Sequence, residues 1–123
     1  MAVTTNDKNS YSGIVEYSWE GTSDVALSAS IEAIGAHLQI VQISFSLTGT
    51  GSASEEFTST LNHLEGSDLD IEFFSQNMSG QRGVIQRWAN DAGIYIPKGS
   101  TVDFAWTNTD VLAWGLSVLV RNE

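Results

Sequence analysis

Three acidic residues near the middle of the chain have the spacing best suited to holding a metal ion. Asp68, Asp70 and Glu72 alternate along the sequence, so on a strand all three would lie on one face. Carboxylate oxygens of this kind suit Ca²⁺. The stretch lacks the glycine-containing loop and the further carboxylates of a calcium loop. We therefore interpret it as the solvated outer face of a half-buried strand.

The other residue patterns indicate no catalytic centre. The two histidines, His37 and His63, do not form the closely spaced pair typical of a metal site. Asp103 with Asp110, or Asp91 with Asp103, would have to face each other across a cleft to act as a glycosidase pair, and small domains rarely hold one. Nucleophile-elbow, dinucleotide-binding and P-loop motifs are missing, as is cysteine. We predict a protein that is not an enzyme and that binds no cofactor or metal.

Length and charge narrow the class of protein further. A chain of 123 residues predicts one domain. Fifteen acidic against five basic residues give a net charge of −10, which disfavours nucleic acids and anionic membranes as partners. The polar start of the chain is unlike a signal peptide, and no stretch approaches the roughly 20 apolar residues that cross a bilayer. These features predict a protein that stays in the cytoplasm or assembles there into something larger.

Apolar residues alternate along most of the chain, which is the period of β-strands. In residues 37–47, Val41, Ile43 and Phe45 are expected on one face of a strand, opposite glutamine and serine. Even residues 24–35, the one candidate helix, have a period of two. Eight to nine antiparallel strands at this spacing predict an all-β, single-domain β-sandwich, and we prefer a jelly roll to an immunoglobulin-like topology. The predicted domain spans residues 13–123, after a flexible arm over residues 1–12.

The four tryptophans can either fill the core or bind a partner. Trp106 and Trp114 each share a strand face with apolar residues only, so we expect both in the core of a hairpin closed by residues 107–110. Trp88 instead shares its face with a glutamine and lies near two arginines, which favours an interface anchor.

The last predicted strand has apolar residues on both faces, because Leu119 points away from its apolar neighbours. This pattern indicates that its outer face is covered by another layer or another subunit. Together these observations define five candidate interface residues: Tyr11, Arg82, Arg87, Trp88 and Leu119.

A Pro-Lys-Gly turn, an Asn-Thr-Asp loop and a Trp-Gly-Leu strand follow one another at the end of the chain. The residues concerned are Pro97, Lys98, Gly99, Asn108, Thr109, Asp110, Trp114, Gly115 and Leu116. With the Gly/Ser loop and Thr-rich strand before them, they resemble a family of small virion proteins of tailed bacteriophages. The resemblance covers roughly residues 38–120.

The resemblance implies a jelly-roll capsid decoration (cement) protein that binds the outside of the capsid shell and stabilises it. Its expected partners are the major capsid protein and two further copies in a homotrimer, and its expected location is the capsid surface, after assembly in the host cytoplasm. The arm over residues 1–12 would suit clamping onto a neighbouring subunit. The alternative is a carbohydrate- or receptor-binding module on a phage tail or fibre, which would need exposed tryptophan or tyrosine side chains in a flat row.

Overall fold

The computed structural model describes the backbone of residues 3–11, 14–88 and 93–122, and the side chains of residues 14–88 and 93–121. These residues form ten strands: β1 (Val3–Tyr11), β2 (Ile14–Gly21), β3 (Leu27–Glu32), β4 (Leu38–Leu47), β5 (Glu56–Asn62), β6 (Ile71–Asn77), β7 (Gly83–Arg87), β8 (Ile94–Ile96), β9 (Thr101–Trp106) and β10 (Trp114–Asn122). A 3₁₀ turn, Ser67–Leu69, precedes β6.

The strands form two antiparallel sheets packed face to face. The six-stranded sheet has the order β1-β2-β10-β4-β7, with β8 also paired to β4, and the four-stranded sheet has the order β3-β9-β5-β6. The predicted all-β sandwich is thus confirmed. The strand beyond the predicted eight or nine is β1, which lies in the segment that the sequence placed in an arm.

Residues of that segment pair with β2 through their backbone, from Val3 opposite Gly21 to Tyr11 opposite Ile14. Over residues 3–11 the backbone is thus a paired strand, in a segment where the sequence predicted a flexible arm spanning residues 1–12. A polar, threonine- and asparagine-rich segment gives no apolar alternation, yet its backbone groups can still pair with the open edge of a neighbouring strand.

The strand pairing is that of a jelly roll. The pairs β2–β10, β3–β9, β4–β7 and β5–β6 nest inside one another, as in one long hairpin whose tip joins β5 to β6. Successive pairs lie alternately in the six-stranded and the four-stranded sheet. Eight strands rolled up in this way are the jelly-roll arrangement. Because β7 and β8 both pair with β4, they act as one interrupted strand.

The core lies between the two sheets and is rich in aromatic rings. Phe45 of one sheet stacks on Phe57 of the other with 4.5 Å between ring centroids. Trp19, Trp106 and Trp114 are 7%, 2% and 3% exposed. The prediction that Trp106 and Trp114 fill the core is therefore confirmed.

The connection between them differs from the predicted hairpin. The strand that ends at Trp106 pairs with β3 and β5, whereas the strand that begins at Trp114 pairs with β2 and β4. Residues 107–113 therefore cross from one sheet to the other. A short polar stretch between two strands looks the same in sequence whether it turns within a sheet or crosses between sheets.

A β-bulge in β4 also changes one expected orientation. Leu119 of β10 lies opposite Gln42 and Val120 lies opposite Ile40, so Val41 has no direct partner on β10. Ile40 is fully buried in the core, and Val41, although only 8% exposed, lies outside the core cluster. The prediction that Val41 shares the inner face was wrong, because one inserted residue reverses the alternation on its far side.

Candidate functional site

The outward faces of the two sheets differ in chemistry. On β3, β5 and β9 the outward side chains are small or polar: Ser28, Ser30, Glu32, Thr58, Thr60, Asn62, Thr101, Asp103 and Ala105. The outward face of the six-stranded sheet also bears polar residues, among them Glu16, Ser18, Ser44 and Ser117, but it adds Ile14, Val41, Ile85 and Leu119, and Ile85 is 67% exposed. A solvated face of an antiparallel sheet is normally polar. The apolar residues therefore mark the six-stranded sheet as the candidate contact surface.

One end of this face holds a depression of about 230 Å³, which we call the Leu119 depression. Four strands and the residue after β7 supply its lining: Ile14, Val41, Gln42, Arg87, Trp88, Leu119 and Arg121. Three of the five candidate interface residues, Arg87, Trp88 and Leu119, thus lie together.

Strand register places the charged and apolar walls of the Leu119 depression. Gln42 lies between Leu119 on one side and Arg87 on the other, so the backbones of these last two are about 10 Å apart. Arg121 lies between Ile14 of β2 and a glutamine of β4. An apolar floor is thereby flanked by arginines on two sides.

Neutral amide side chains orient both arginines. The Nε of Arg87 donates to the Oε1 of Gln42 at 2.8 Å, and an Nη of Arg121 donates to the Oε1 of Gln39 at 3.2 Å. Amide oxygens accept a hydrogen bond without cancelling a guanidinium charge. Both contacts therefore fix the orientation of a guanidinium group at the depression.

Trp88 forms one wall and is itself held in place. Its backbone N–H donates to the carbonyl of Val41 at 3.0 Å, directly at the bulge. Its ring packs against Phe73 at the edge of the other sheet, with 6.2 Å between centroids. The ring also packs against the core cluster, so the part of Trp88 that lines the depression is held rigidly.

The other two candidate interface residues are placed differently. The carbonyl of Arg82 accepts the N–H of Leu47 at 2.8 Å, at the far end of β4 and about 16 Å along the strand direction from Arg87. The backbone of Tyr11 lies opposite Ile14, at the same end of the sheet as the Leu119 depression, and its side chain is outside the described residues.

A second, larger depression of about 400 Å³ lies at the opposite end of the same face. It is lined by Glu20, Gly21, Thr22, Ser46, Leu47, Thr48, Ala113, Trp114 and Gly115. Trp114 contributes little accessible surface because its indole is buried beneath Gly21. We regard the smaller depression as the better candidate, because three of the five candidate interface residues line it and none lines the larger one.

The Asn-Thr-Asp loop has a structural role. The amide nitrogen of Asn108 donates to the carbonyls of Val25 and Leu112, at 2.9 and 3.0 Å, and its amide oxygen accepts the N–H of Leu112. The Asp110 carboxylate accepts the backbone N–H and hydroxyl of Ser52 at 2.9 and 2.7 Å. The Ser52 hydroxyl, with the backbone N–H groups beside it, lowers the pKa of Asp110. The Asn-Thr-Asp loop is thereby joined by hydrogen bonds to the loops that contain Val25 and Ser52, at one end of the sandwich.

The acidic residues considered for chemistry are dispersed. Asp70 caps a turn by accepting the backbone N–H of His63 at 2.8 Å, and β6 begins only after it, so Asp68, Asp70 and Glu72 do not share a strand face as expected. Asp103 accepts a hydrogen bond from Asn62 on the outer face of the four-stranded sheet, far from the Asp110 loop. Asp91 is outside the described residues. Among residues the structure does describe, no group of three or more potential ligands is close enough to hold a metal ion.

Within the described part of the chain, no helix has the length and apolar character needed to cross a membrane. Comparison of the chain with protein-family models, with curated proteins and with solved structures found no match. The relationship to phage virion proteins therefore stays a prediction from the sequence.

Proposed function

We propose that the protein is a non-enzymatic structural protein of a tailed-bacteriophage virion, a decoration protein that binds the outside of the capsid shell and stabilises it. The sequence resemblance supplies the virion context. The observation that supports binding is the group of apolar residues at one end of the outward face of the six-stranded sheet, around the Leu119 depression. Jelly rolls serve in viral capsids and in lectins, so the fold agrees with the proposal but does not decide it.

The composition of the face suits a protein–protein contact. Tryptophan and arginine are the residues that most often dominate interface energies, and Trp88, Arg87 and Arg121 lie beside one another here. Complete burial of an exposed aliphatic side chain such as Ile85 stabilises a complex by about 1.5–3 kcal/mol. A few such contacts suffice for a specific but modest interface at each copy.

The alternative of a carbohydrate-binding module receives no comparable support. Trp19, Trp106 and Trp114 face the core and cannot form the flat outer row that sugar stacking requires. We therefore propose capsid binding as the function, with the major capsid protein as the partner. The homotrimer remains a prediction, and light scattering after size exclusion tests it.

Binding to phage shells stripped of this protein tests the proposal. We expect wild-type protein to bind, and Leu119→Asp to weaken binding at least tenfold, because a carboxylate would replace an apolar contact. Ser30→Asp is the matched control: it adds the same charge to the outer face of the other sheet and should bind like wild type. Equal loss for both variants, or no binding by the wild type, would refute the proposed face.

A further inference from the structure

Gly115 is a glycine that the fold does not require. It belongs to β10, which lies between β2 and β4, and its register with both neighbours is regular. Its φ is outside the left-handed region, and a Cβ would meet only Ser46 Oγ at 3.5 Å and the Trp19 carbonyl at 4.0 Å, which are ordinary contacts. A glycine weakens a strand, because it loses more backbone entropy on folding and packs no side chain. One that neither conformation nor crowding explains often marks a place where a ligand approaches closely.

The missing side chain opens a notch between two polar ones. Gly115 lies opposite Glu20 of β2 and opposite Ser46 of β4, so the three form a row across the outward face of the sheet. Two strand spacings place the backbones of Glu20 and Ser46 about 10 Å apart, with no side chain between them. This notch belongs to the larger of the two depressions, of about 400 Å³, which we call the Gly115 depression.

We infer that the Gly115 depression accepts a lysine side chain of a partner protein, with the ammonium group beside Glu20. The inference rests on the proposed function for the source of the lysine, because the depression lies on the sheet face that we assign to capsid contact. It adds a second contact, of defined chemistry, at the other end of that face from the Leu119 depression.

Charge determines the sign of the group and the wall that it meets. Among the described residues that line the Gly115 depression, Glu20 is the only charged one, and it is exposed. The Thr22 hydroxyl donates to the Asp24 carboxylate at 2.7 Å, so a second carboxylate lies beside the same wall. On the opposite wall an Nη of Arg82 lies 3.5 Å from the Thr48 carbonyl oxygen. A cation is therefore attracted to the β2 side, in a chain whose net charge is −10.

Shape favours a narrow aliphatic stem over a flat ring. Leu47, Ala113 and Gly115 provide carbon surface in the depression. A lysine packs its methylene stem along such a surface and keeps its ammonium group at a polar rim. Trp114, which also lines the depression, is only 3% exposed, so its indole offers no face on which a ring could stack.

A different protein is the expected source of the lysine. Two copies of this chain would approach each other with a net charge of −10 each and repel at long range. The chain has two lysines of its own, Lys8 and Lys98, so insertion of a lysine from a second copy is an outcome that the experiment must separate.

A pair of lysine probes tests the inference without any partner protein. N-acetyl-lysine methylamide and its Nε-acetylated form have the same stem, but only the first carries a charge. We expect the charged probe to shift the amide NMR signals of Gly21, Ser46 and Gly115. It should bind about threefold more tightly than the neutral probe, the effect of one exposed ion pair. Equal shifts from both probes, or none from either, would overturn the inference.

Filling the notch locates the site. Gly115→Val places a β-branched side chain in a strand, which suits the backbone, and should abolish the shifts without lowering Tm. Gly115→Ala, whose Cβ has room, should weaken binding to a smaller extent and serves if the valine variant is destabilised. Ala105→Val is the matched control, because it adds bulk at an exposed position on the outer face of the other sheet. Undiminished binding in both Gly115 variants, or equal loss in Ala105→Val, would refute the site.

Removal of one carboxylate tests the role of charge. Glu20→Gln should abolish the preference for the charged probe, because the partner of the ammonium group is neutralised. Glu32→Gln removes the same charge from an exposed position on β3 of the other sheet and should leave the preference intact. A preference that survives in Glu20→Gln, or falls equally in Glu32→Gln, would contradict the assignment of Glu20.

Stripped shells then separate the inference from the proposed function. Gly115→Val and Glu20→Gln should each weaken shell binding about threefold or more, whereas their two controls should bind like wild type. Shell binding that Leu119→Asp weakens, but that neither Gly115→Val nor Glu20→Gln changes, would contradict the inference and leave the proposed function standing. Sedimentation that shows Glu20-dependent self-association would contradict the assignment to a different protein. Lysine-selective binding without any shell binding would refute the proposed function and support the preference of the depression for lysine.

Discussion

Replacement of Gly21 by alanine tests how tightly the Trp114 ring is packed between β2 and β10 of the six-stranded sheet. Gly21 ends β2 and lies directly opposite Trp114 of β10. A Cβ atom at this position would lie within 3.0 Å of three indole atoms, Cε2, Cζ2 and Nε1 of Trp114. Non-bonded carbon atoms rest at about 3.5–4.0 Å, so the ring or the strand would have to move.

The indole has little freedom to move. Its Nε1–H donates to the buried carbonyl of Val25 at 2.8 Å, and the ring is 3% exposed. Overpacking a core costs about 1–3 kcal/mol, and loss of the hydrogen bond adds about 1 kcal/mol. We expect Gly21→Ala to destabilise the protein by about 3 kcal/mol, which lowers Tm by about 12 °C for a domain of this size.

Gly115→Ala is the matched control. Gly115 lies opposite Glu20, one residue along the same strand pair, but its nearest neighbours to a new Cβ are Ser46 Oγ at 3.5 Å and the Trp19 carbonyl at 4.0 Å. Those are ordinary contacts, so the change in Tm should be small. Both variants are compared by thermal and urea unfolding.

A smaller aromatic ring at position 114 provides a second check. Trp114→Phe removes much of the indole volume near Gly21, so Gly21→Ala should cost at least about 1 kcal/mol less in that background than in the wild type. Additive effects in this double-mutant cycle, or a Gly21→Ala protein as stable as Gly115→Ala, would show that the two side chains do not compete for the same space.

Three further predictions concern the loop that crosses between the sheets. Asn108→Ala should lower the free energy of unfolding in urea by about 3 kcal/mol. The substitution leaves the carbonyls of Val25 and Leu112 without this donor and places alanine at a φ of 64°. A loss below about 1 kcal/mol would contradict the role of this amide. Val111, 59% exposed at a φ of 56°, is a β-branched residue in the left-handed region, so Val111→Asn should raise Tm, whereas Val84→Asn in a regular strand should lower it. The hydrogen bonds that lower the pKa of Asp110 stabilise the fold only while the carboxylate is ionised. The difference in unfolding free energy between wild type and Asp110→Asn should therefore be largest above about pH 4 and shrink as the pH falls through the lowered pKa. A difference that grows with acidification would refute the stabilising role of the ionised Asp110 carboxylate.

The fold could be predicted largely because apolar alternation continues through most strands. Residues 24–35 have a period of two and contain β3 (Leu27–Glu32), and the faces assigned to Trp106 and Trp114 were correct. Alternation could not reveal the bulge at Val41, since the inserted residue is defined by its pairing with β10 rather than by local sequence. It also could not show that residues 107–113 cross between sheets, because that depends on which strands each end pairs with.

The candidate site was recognised in part. Arg87, Trp88 and Leu119 stood out because arginine, tryptophan and an outward leucine are unusual on a solvated strand face. Ile14, Val41 and Arg121 were missed, although an outward Ile14 and Arg121 follow from the same alternation. Their significance appears only when β2, β4 and β10 are brought side by side, which is a property of the jelly-roll topology and not of any one segment.

A cryo-electron microscopy reconstruction of the intact particle tests the central claim most directly. We expect copies of the jelly roll on the outer shell with the six-stranded sheet turned toward the major capsid protein, so that Leu119 and Arg87 are buried at the contact. A particle in which the four-stranded sheet or the loop end meets the shell, or in which the protein occurs only in the tail, would contradict it.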